Sequence, residues 1–227
     1  MKTQTIISHA IFSFFAVLAF TGAGAVADEQ SSSGFLTPAI EAKLEKVTLS
    51  DGRKVMRWSS PELNGKNYDA VMVDRVVFYP APNPGPQVSS SVLEQVADFL
   101  TESLRTHLGD AVKVVDQAGP RVLRMQPAIT AVVVEEEGLS AKDIVPVHLL
   151  FSAASAATGK MDENVTVMAE FRVTDSMTRD YRAAVKMDIK GEQLKGKDDQ
   201  LALKDLQKAL DKRAAVGATE LREALSK

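Results

Sequence analysis

Asp74 is the side chain in this sequence best placed to do chemistry. It stands inside the apolar run Ala70 to Tyr79, where burial would raise a carboxyl pKa towards neutrality and equip it as a general base or a carboxylate ligand. The plainer reading is local pairing, with Arg75 or with a loop amide. Ser89, Ser90 and Ser91 could offer a nucleophile, yet no G-x-S-x-G elbow surrounds them and no histidine is near them in sequence. The S-x-x-E spacing of Ser91 and Glu94 reads instead as a capping box. His107 falls near the end of an amphipathic stretch, where an imidazolium gains from the helix dipole. Glu135 to Glu137 could gather a cation, but three successive carboxylates before Gly138 read as a solvated loop. The chain has no cysteine, so thiol nucleophiles, thiolate metal sites and thiol redox chemistry drop out. Beyond the first 27 residues the histidines are His107 and His148, too few for a histidine-rich metal site. No catalytic residue, metal or cofactor is assigned, and a hydrolase whose site assembles around Asp74 stays as an alternative.

The segment that could do recognition is Tyr79-Pro80-Ala81-Pro82-Asn83-Pro84-Gly85-Pro86. Its prolines fix their backbone angles and withhold amide donors, so it is a loop. A preformed extended segment loses little entropy on docking into a groove. Tyr79, Pro80, Pro82 and Pro84 are therefore the candidate partner contacts, with connection of a strand to a helix as the default role. Ser152 to Gly159, rich in small residues, could let a helix or lipid chain approach closely, although tight internal packing is the commoner reason for such a stretch.

The start of the chain supplies an address. Lys2 gives a positive n-region, Ile11 to Phe20 an apolar h-region, and Ala25-Val26-Ala27 an A-x-A cleavage site before Asp28. The apolar stretch is about ten residues, half of the roughly 20 that span a bilayer, so a cleaved signal is expected and no transmembrane span in the mature chain. Removing residues 1–27 takes away Lys2 and no acid, which moves the net charge from −3 to −4. A mildly acidic protein is a poor partner for nucleic acid. Residues 28–34 read as a flexible polar tether and 35–227 as one folded domain, large enough to need no disulfide staple.

Hydrophobic periodicity predicts the elements that must hold these residues. A short helix should begin near Pro38 and carry Ile40, Leu44 and Val47. Asp51-Gly52 turns into a strand over Lys54 to Ser59, with Trp58 covering an edge of the core. Ala70 to Tyr79 reads as a central strand covered on both faces. A helix over Ser91 to Leu108 carries Leu93, Val96, Ala97, Leu100, Leu104 and Leu108, and Gly109 is expected to stop it. Val112 to Val115 and a second strand around Leu123 to Ala131 follow, with Pro127 at an edge or a bulge. Val145 to Phe151 reads as another strand. Val165 to Thr174 and Tyr181 to Lys190 form a hairpin in which pairing Val173 with Ala183 sets Glu170 opposite Lys186 on a wet face. A long amphipathic helix over Leu201 to Leu225 begins at Asp198 or Asp199.

Several of these segments resemble a known family. Gly34-Phe35-Leu36, Arg57-Trp58 with Tyr68, Val71-Met72-Val73-Asp74, Val114-Val115-Asp116, Gly119-Pro120, Val122-Leu123-Arg124 and Thr174-Asp175-Ser176 are similar to the Gram-negative envelope lipoproteins grouped as domain of unknown function 3313, DUF3313. The resemblance implies an envelope location and no particular activity. Family lipoproteins carry an acylated cysteine after the apolar stretch, whereas Ala19 to Gly24 offers no attachment atom for a diacylglycerol. The expectation is therefore a periplasmic protein, with association to the outer membrane as the variant. The predicted fold is a single α/β (α+β) domain with a mostly antiparallel sheet and two main amphipathic helices against it. The predicted role is a non-enzymatic accessory module that binds an envelope protein or a cell-wall or membrane component. A carrier of a small hydrophobic ligand is the further alternative, and it requires an apolar cavity between sheet and helices.

Overall fold

The computed structural model describes residues 32–84, 87–136, 163–194 and 200–227. The signal with Ala25 and Ala27, most of the tether, His148, the expected strand Val145 to Phe151, the small-residue stretch and Asp198 and Asp199 lie outside them.

The described elements run α1 (Pro38–Glu41), β1 (Glu45–Thr48), β2 (Lys54–Ser59), β3 (Ala70–Val73), β4 (Val77–Phe78), α2 (Ser90–Ala111), β5 (Lys113–Val115), β6 (Val122–Glu136), β7 (Glu163–Asp175), β8 (Tyr181–Lys190) and α3 (Leu203–Leu225). One sheet orders the strands β1-β2-β8-β7-β6-β3-β5, with β4 pairing β6 off that path. It is antiparallel from β1 to β6 and parallel where β3 meets β5 and β6 and where β4 meets β6. A parallel pair such as β3 and β5 needs a crossover, and α2 supplies it. This is the single α+β domain expected.

α2 and α3 pack on one face of the sheet. Leu93, Val96, Leu100, Leu104 and Leu108 of α2 join Leu206, Leu210, Ala214 and Leu221 of α3 in one buried cluster. The inward residues of β7, Val165, Val167, Ala169, Phe171 and Val173, complete it. The β7–β8 register pairs Val173 with Ala183 and Glu170 with Lys186, as the charges required. The face that carries this pair is not wet, however. Glu170 is 2% exposed and Lys186 8%, because the chain from Phe35 to Leu44 crosses it and buries Phe35, Leu36 and Ile40 against Ala128 and Ala184, beside Trp58 and Tyr181. Alternation alone could not show that a distant segment covers the second face.

Several local expectations need correction. α1 ends at Glu41, and Val47, expected in that helix, lies in β1. Hydrogen bonds from β1 to β2 hold it there, and four residues of helix are too few to outweigh a strand pairing. The Ala70 to Tyr79 strand is broken at 74–76. Met125 O and Ile129 O accept from the amides of Asp74 and Tyr79, so Pro127, between them on β6, faces the same gap with no amide to offer. The register shift of β6 falls between Ile129 and Ala131, not at Pro127. α2 is capped by Ser89, whose Oγ accepts from the Val92 amide at 3.3 Å, while Ser91 Oγ lies 3.0 Å from Ser89 Oγ. The frame is set by Val88, fully buried, and Leu93, which occupy hydrophobic-staple positions around that cap. Gly109 stays helical, and the Val112 amide closes the last turn on Leu108 O at 2.7 Å. At the other helix, Ala202 is the N-cap and its amide is held by the Asp205 carboxylate at 2.8 Å.

Candidate functional site

Asp74 sits where β3 breaks off, and both its oxygens are taken. Arg124 Nε donates to Oδ1 at 3.1 Å and to Oδ2 at 2.9 Å, Arg124 Nη2 lies 2.8 Å from Oδ2, and Gln126 Nε2 donates to Oδ2 at 3.1 Å. A guanidinium that reaches both oxygens fixes a carboxylate in one orientation. The arrangement orders the strand break; Val76, one step further, gives its amide to Thr101 Oγ1 of α2 at 2.9 Å. Arg75 pairs elsewhere, with Asp98.

A serine, a histidine and an aspartate do meet, between α2 and α3. Ser103 Oγ donates to Asp211 Oδ1 at 2.8 Å and His107 Nε2 lies 2.9 Å from the same oxygen. The order is wrong for nucleophilic catalysis, in which the imidazole stands between hydroxyl and carboxylate. Here the carboxylate is the hub. The hydrogen bond from Ser103 and then that to His107 hold the Asp211 carboxyl below its ordinary range, and the three residues clamp the two helices together. His107 therefore pairs across the helix interface, and α2 continues beyond it to Ala111.

The proline segment and the covering chain meet at the other face. Tyr79 is 42% exposed and Val77 46%, on either side of Phe78 at the end of β4. Tyr79 is held by its amide on Ile129 O at 3.0 Å and by an edge-to-face contact of its ring with Phe35, centroids 5.7 Å apart. Pro80 and Pro82 are half-buried and Pro84 is exposed. Beneath Phe35, the Arg172 guanidinium lies over the Phe35 ring at 4.5 Å and the Tyr181 ring at 5.9 Å, and its Nη2 donates to Phe35 O. Lys186 reaches Glu41 at 3.2 Å and Glu170 at 3.6 Å. Sequence patterning did not bring Phe35, Arg172 and Tyr181 together, since they come from three separate segments.

Between α3 and the sheet lies an apolar cavity of about 110 Å³, partly open to solvent. Leu104, Phe171, Val173, Val185, Met187 and Leu221 form much of its wall, and Arg57, Arg213 and Glu220 are the charged residues in its lining. Burial opposes the charge of Glu220, but the Ser50 amide at 2.9 Å and Arg57 Nη1 at 2.8 Å prevail and keep its carboxyl below the usual range. Arg213 was missed in the sequence, although its place three residues after Leu210 and one before Ala214 puts it on the apolar stripe of α3.

Among the described residues no three histidine, aspartate or glutamate side chains are grouped to share a cation, and no helix is long and apolar enough to cross a membrane. The fold is a single-sheet α+β domain with α2 and α3 on one face and an amino-terminal strap, residues 35–44, on the other. The chain belongs to the family described as protein of unknown function, DUF3313, which matches residues 31–216. It is similar to the uncharacterized lipoprotein YdcL of Escherichia coli K12, with 27% identity over 196 residues that cover 86% of this chain and 87% of that protein. The YdcL of Escherichia coli O157:H7 matches to the same extent. Among solved structures it is similar to PelC from Paraburkholderia phytofirmans, described as a dodecamer, with 10% identity, a TM-score of 0.39, and coverage of 76% of this chain and 98% of that one.

Proposed function

We propose that this protein is an exported envelope module that binds another protein or an envelope component through the surface around Tyr79, and that it is not an enzyme. One observation carries the reading. Among the described residues the exposed large hydrophobics are Val77, Tyr79 and Met177, and two of the three sit within one short stretch that opens onto the proline segment. Exposed aromatic side chains on a fixed backbone are the usual anchors of an interface. Tyr79 is fixed by Phe35 and Ile129, so little ordering cost attends its burial by a partner. The export address rests on the Lys2, h-region and Ala25-Val26-Ala27 pattern, and the relatives' description as lipoproteins agrees with an envelope location.

A photo-crosslinking residue placed at Tyr79 and, as a control, at Met177 tests this in cells. A discrete adduct at position 79 and none at 177 is expected; equal labelling at both positions would remove the Tyr79 surface from the proposal. A second reading, a carrier of a small hydrophobic ligand, is favoured by the cavity under α3. At about 110 Å³ it falls below the roughly 300 Å³ at which drug-sized sites begin and nearer the ~150 Å³ apolar cavity that accepts benzene. Its ligand is one ring or a few carbons.

A further inference from the structure

An apolar ligand fits the cavity, and of the three charged residues in its lining Arg213 is the one short of partners. Arg213 is 6% exposed, and its contacts are poor for so deep a cation. Nη1 reaches Asp51 Oδ2 only at 3.5 Å and Nη2 reaches the Asp188 carbonyl only at 3.4 Å, while Nε is buried with no hydrogen-bond partner. Asp51 is itself shared, since Arg53 Nε lies 3.4 Å from the same oxygen. Burial, and then the neighbouring Arg53 charge, push the Arg213 guanidinium below its ordinary value, the sign of a cation short of counter-charge. A guanidinium presents five donors and remains charged at any ordinary pH, so a buried one with a free donor costs free energy until an acceptor arrives. Glu220, the carboxylate in the same lining, is already held by Arg57 and the Ser50 amide. The wall thus sets two guanidiniums against one carboxylate, and the guanidinium without a good partner is the deeper one.

We propose that the cavity binds a short amphiphile of the monocarboxylate class, its carbon chain among Leu104, Phe171, Val185 and Leu221 and its carboxylate on Arg213. This inference rests on the carrier reading and adds the anionic head. The small volume limits the chain to a few carbons, or to the last few of a longer one. A planar carboxylate suits the guanidinium fork, which binds it through two parallel hydrogen bonds.

Titration of the protein with hexanoate, hexanol and acetate, followed by amide chemical shifts, separates the parts. Hexanoate should bind about tenfold tighter than hexanol, the scale of a charge-assisted hydrogen bond, and acetate should bind more weakly than either for want of a chain. Arg213→Met, which keeps the stem volume and removes the charge, should bring hexanoate down to hexanol. Gly217→Leu should block both, because Gly217 lines the cavity and a Cβ built there meets nothing within 4 Å. Hexanol binding as tightly as hexanoate, or an undiminished preference for hexanoate in Arg213→Met, would overturn the anionic head and leave the carrier reading standing. Failure of both six-carbon probes to bind would overturn the two together. The comparison of head groups on the unsubstituted protein decides the matter even where Arg213→Met does not fold.

Discussion

Gly217 is in the middle of α3 with open space where a side chain would be, and replacing it with alanine should make the protein more stable. In a helix interior glycine is less favourable than alanine by about 0.8–1.0 kcal/mol, because its unfolded backbone has more freedom to lose. The substitution adds one methyl group, and nothing lies within 4 Å of its position, so no strain offsets the gain. The new group enters a partly open apolar cavity, which adds a few tenths of the ~0.8 kcal/mol that full burial of a methylene is worth. The expected gain is about 1 kcal/mol, which for a domain near this size raises Tm by roughly 2–4 °C. Gly65→Ala and Gly191→Ala make the comparison decisive. At Gly65 a Cβ would lie far inside contact with the Leu225 carbonyl oxygen, and at Gly191 it would lie 2.7 Å from Leu206 Cδ2 and 2.9 Å from Asp205 O. Both glycines let a loop close onto an end of α3, and both substitutions should cost about 1–3 kcal/mol as overpacking does. Urea and thermal unfolding followed by circular dichroism would measure all three. Destabilisation by Gly217→Ala, or one sign for all three variants, would refute the packing argument.

Three further outcomes follow from the buried polar groups. Lys186→Met removes the cation 3.6 Å from the buried Glu170 and should cost about 3–5 kcal/mol, whereas Glu170→Leu with Lys186→Met should recover most of that loss in urea unfolding; a double variant as unstable as the sum of the singles would contradict it. Tyr68→Phe removes a hydroxyl that donates to Asp175 at 2.9 Å and accepts from Arg182 Nε at 2.6 Å, and should cost about 1–2 kcal/mol, read as a lower urea midpoint. Acid should weaken the fold through Asp175, Asp211 and Glu220, each lowered in the folded state. For Asp175 burial opposes this, but the Thr178 and Met177 amides prevail. Carboxyls depressed on folding contribute stability that is complete above their unfolded pKa values and is lost as pH falls through the folded ones. Urea midpoints should therefore hold near neutral pH and drop below about pH 4, and Asp211→Asn should flatten that drop.

Local pattern determined most of the elements. The 3- and 4-residue spacing of leucines in α2 and α3, the alternation in β7 and β8, and the opposite charges of Glu170 and Lys186 specify element type and register through near neighbours alone. The proline segment was likewise legible as a loop, since proline acts on its own backbone. What depended on distant contacts was decided only by the tertiary structure. Residues 35–44 bury a face of β7 and β8 that alternation marks as wet, which turns an expected surface ion pair into a buried one. Asp74 meets Arg124 and Gln126 across 50 residues and more of chain, so its apolar sequence context says nothing of the guanidinium that holds it. The cavity and the under-partnered Arg213 arise where α3 crosses β8 and β2. A side chain's reactivity is set by the groups that surround it in space, and sequence spacing reports those groups only within a few turns of helix or across one hairpin.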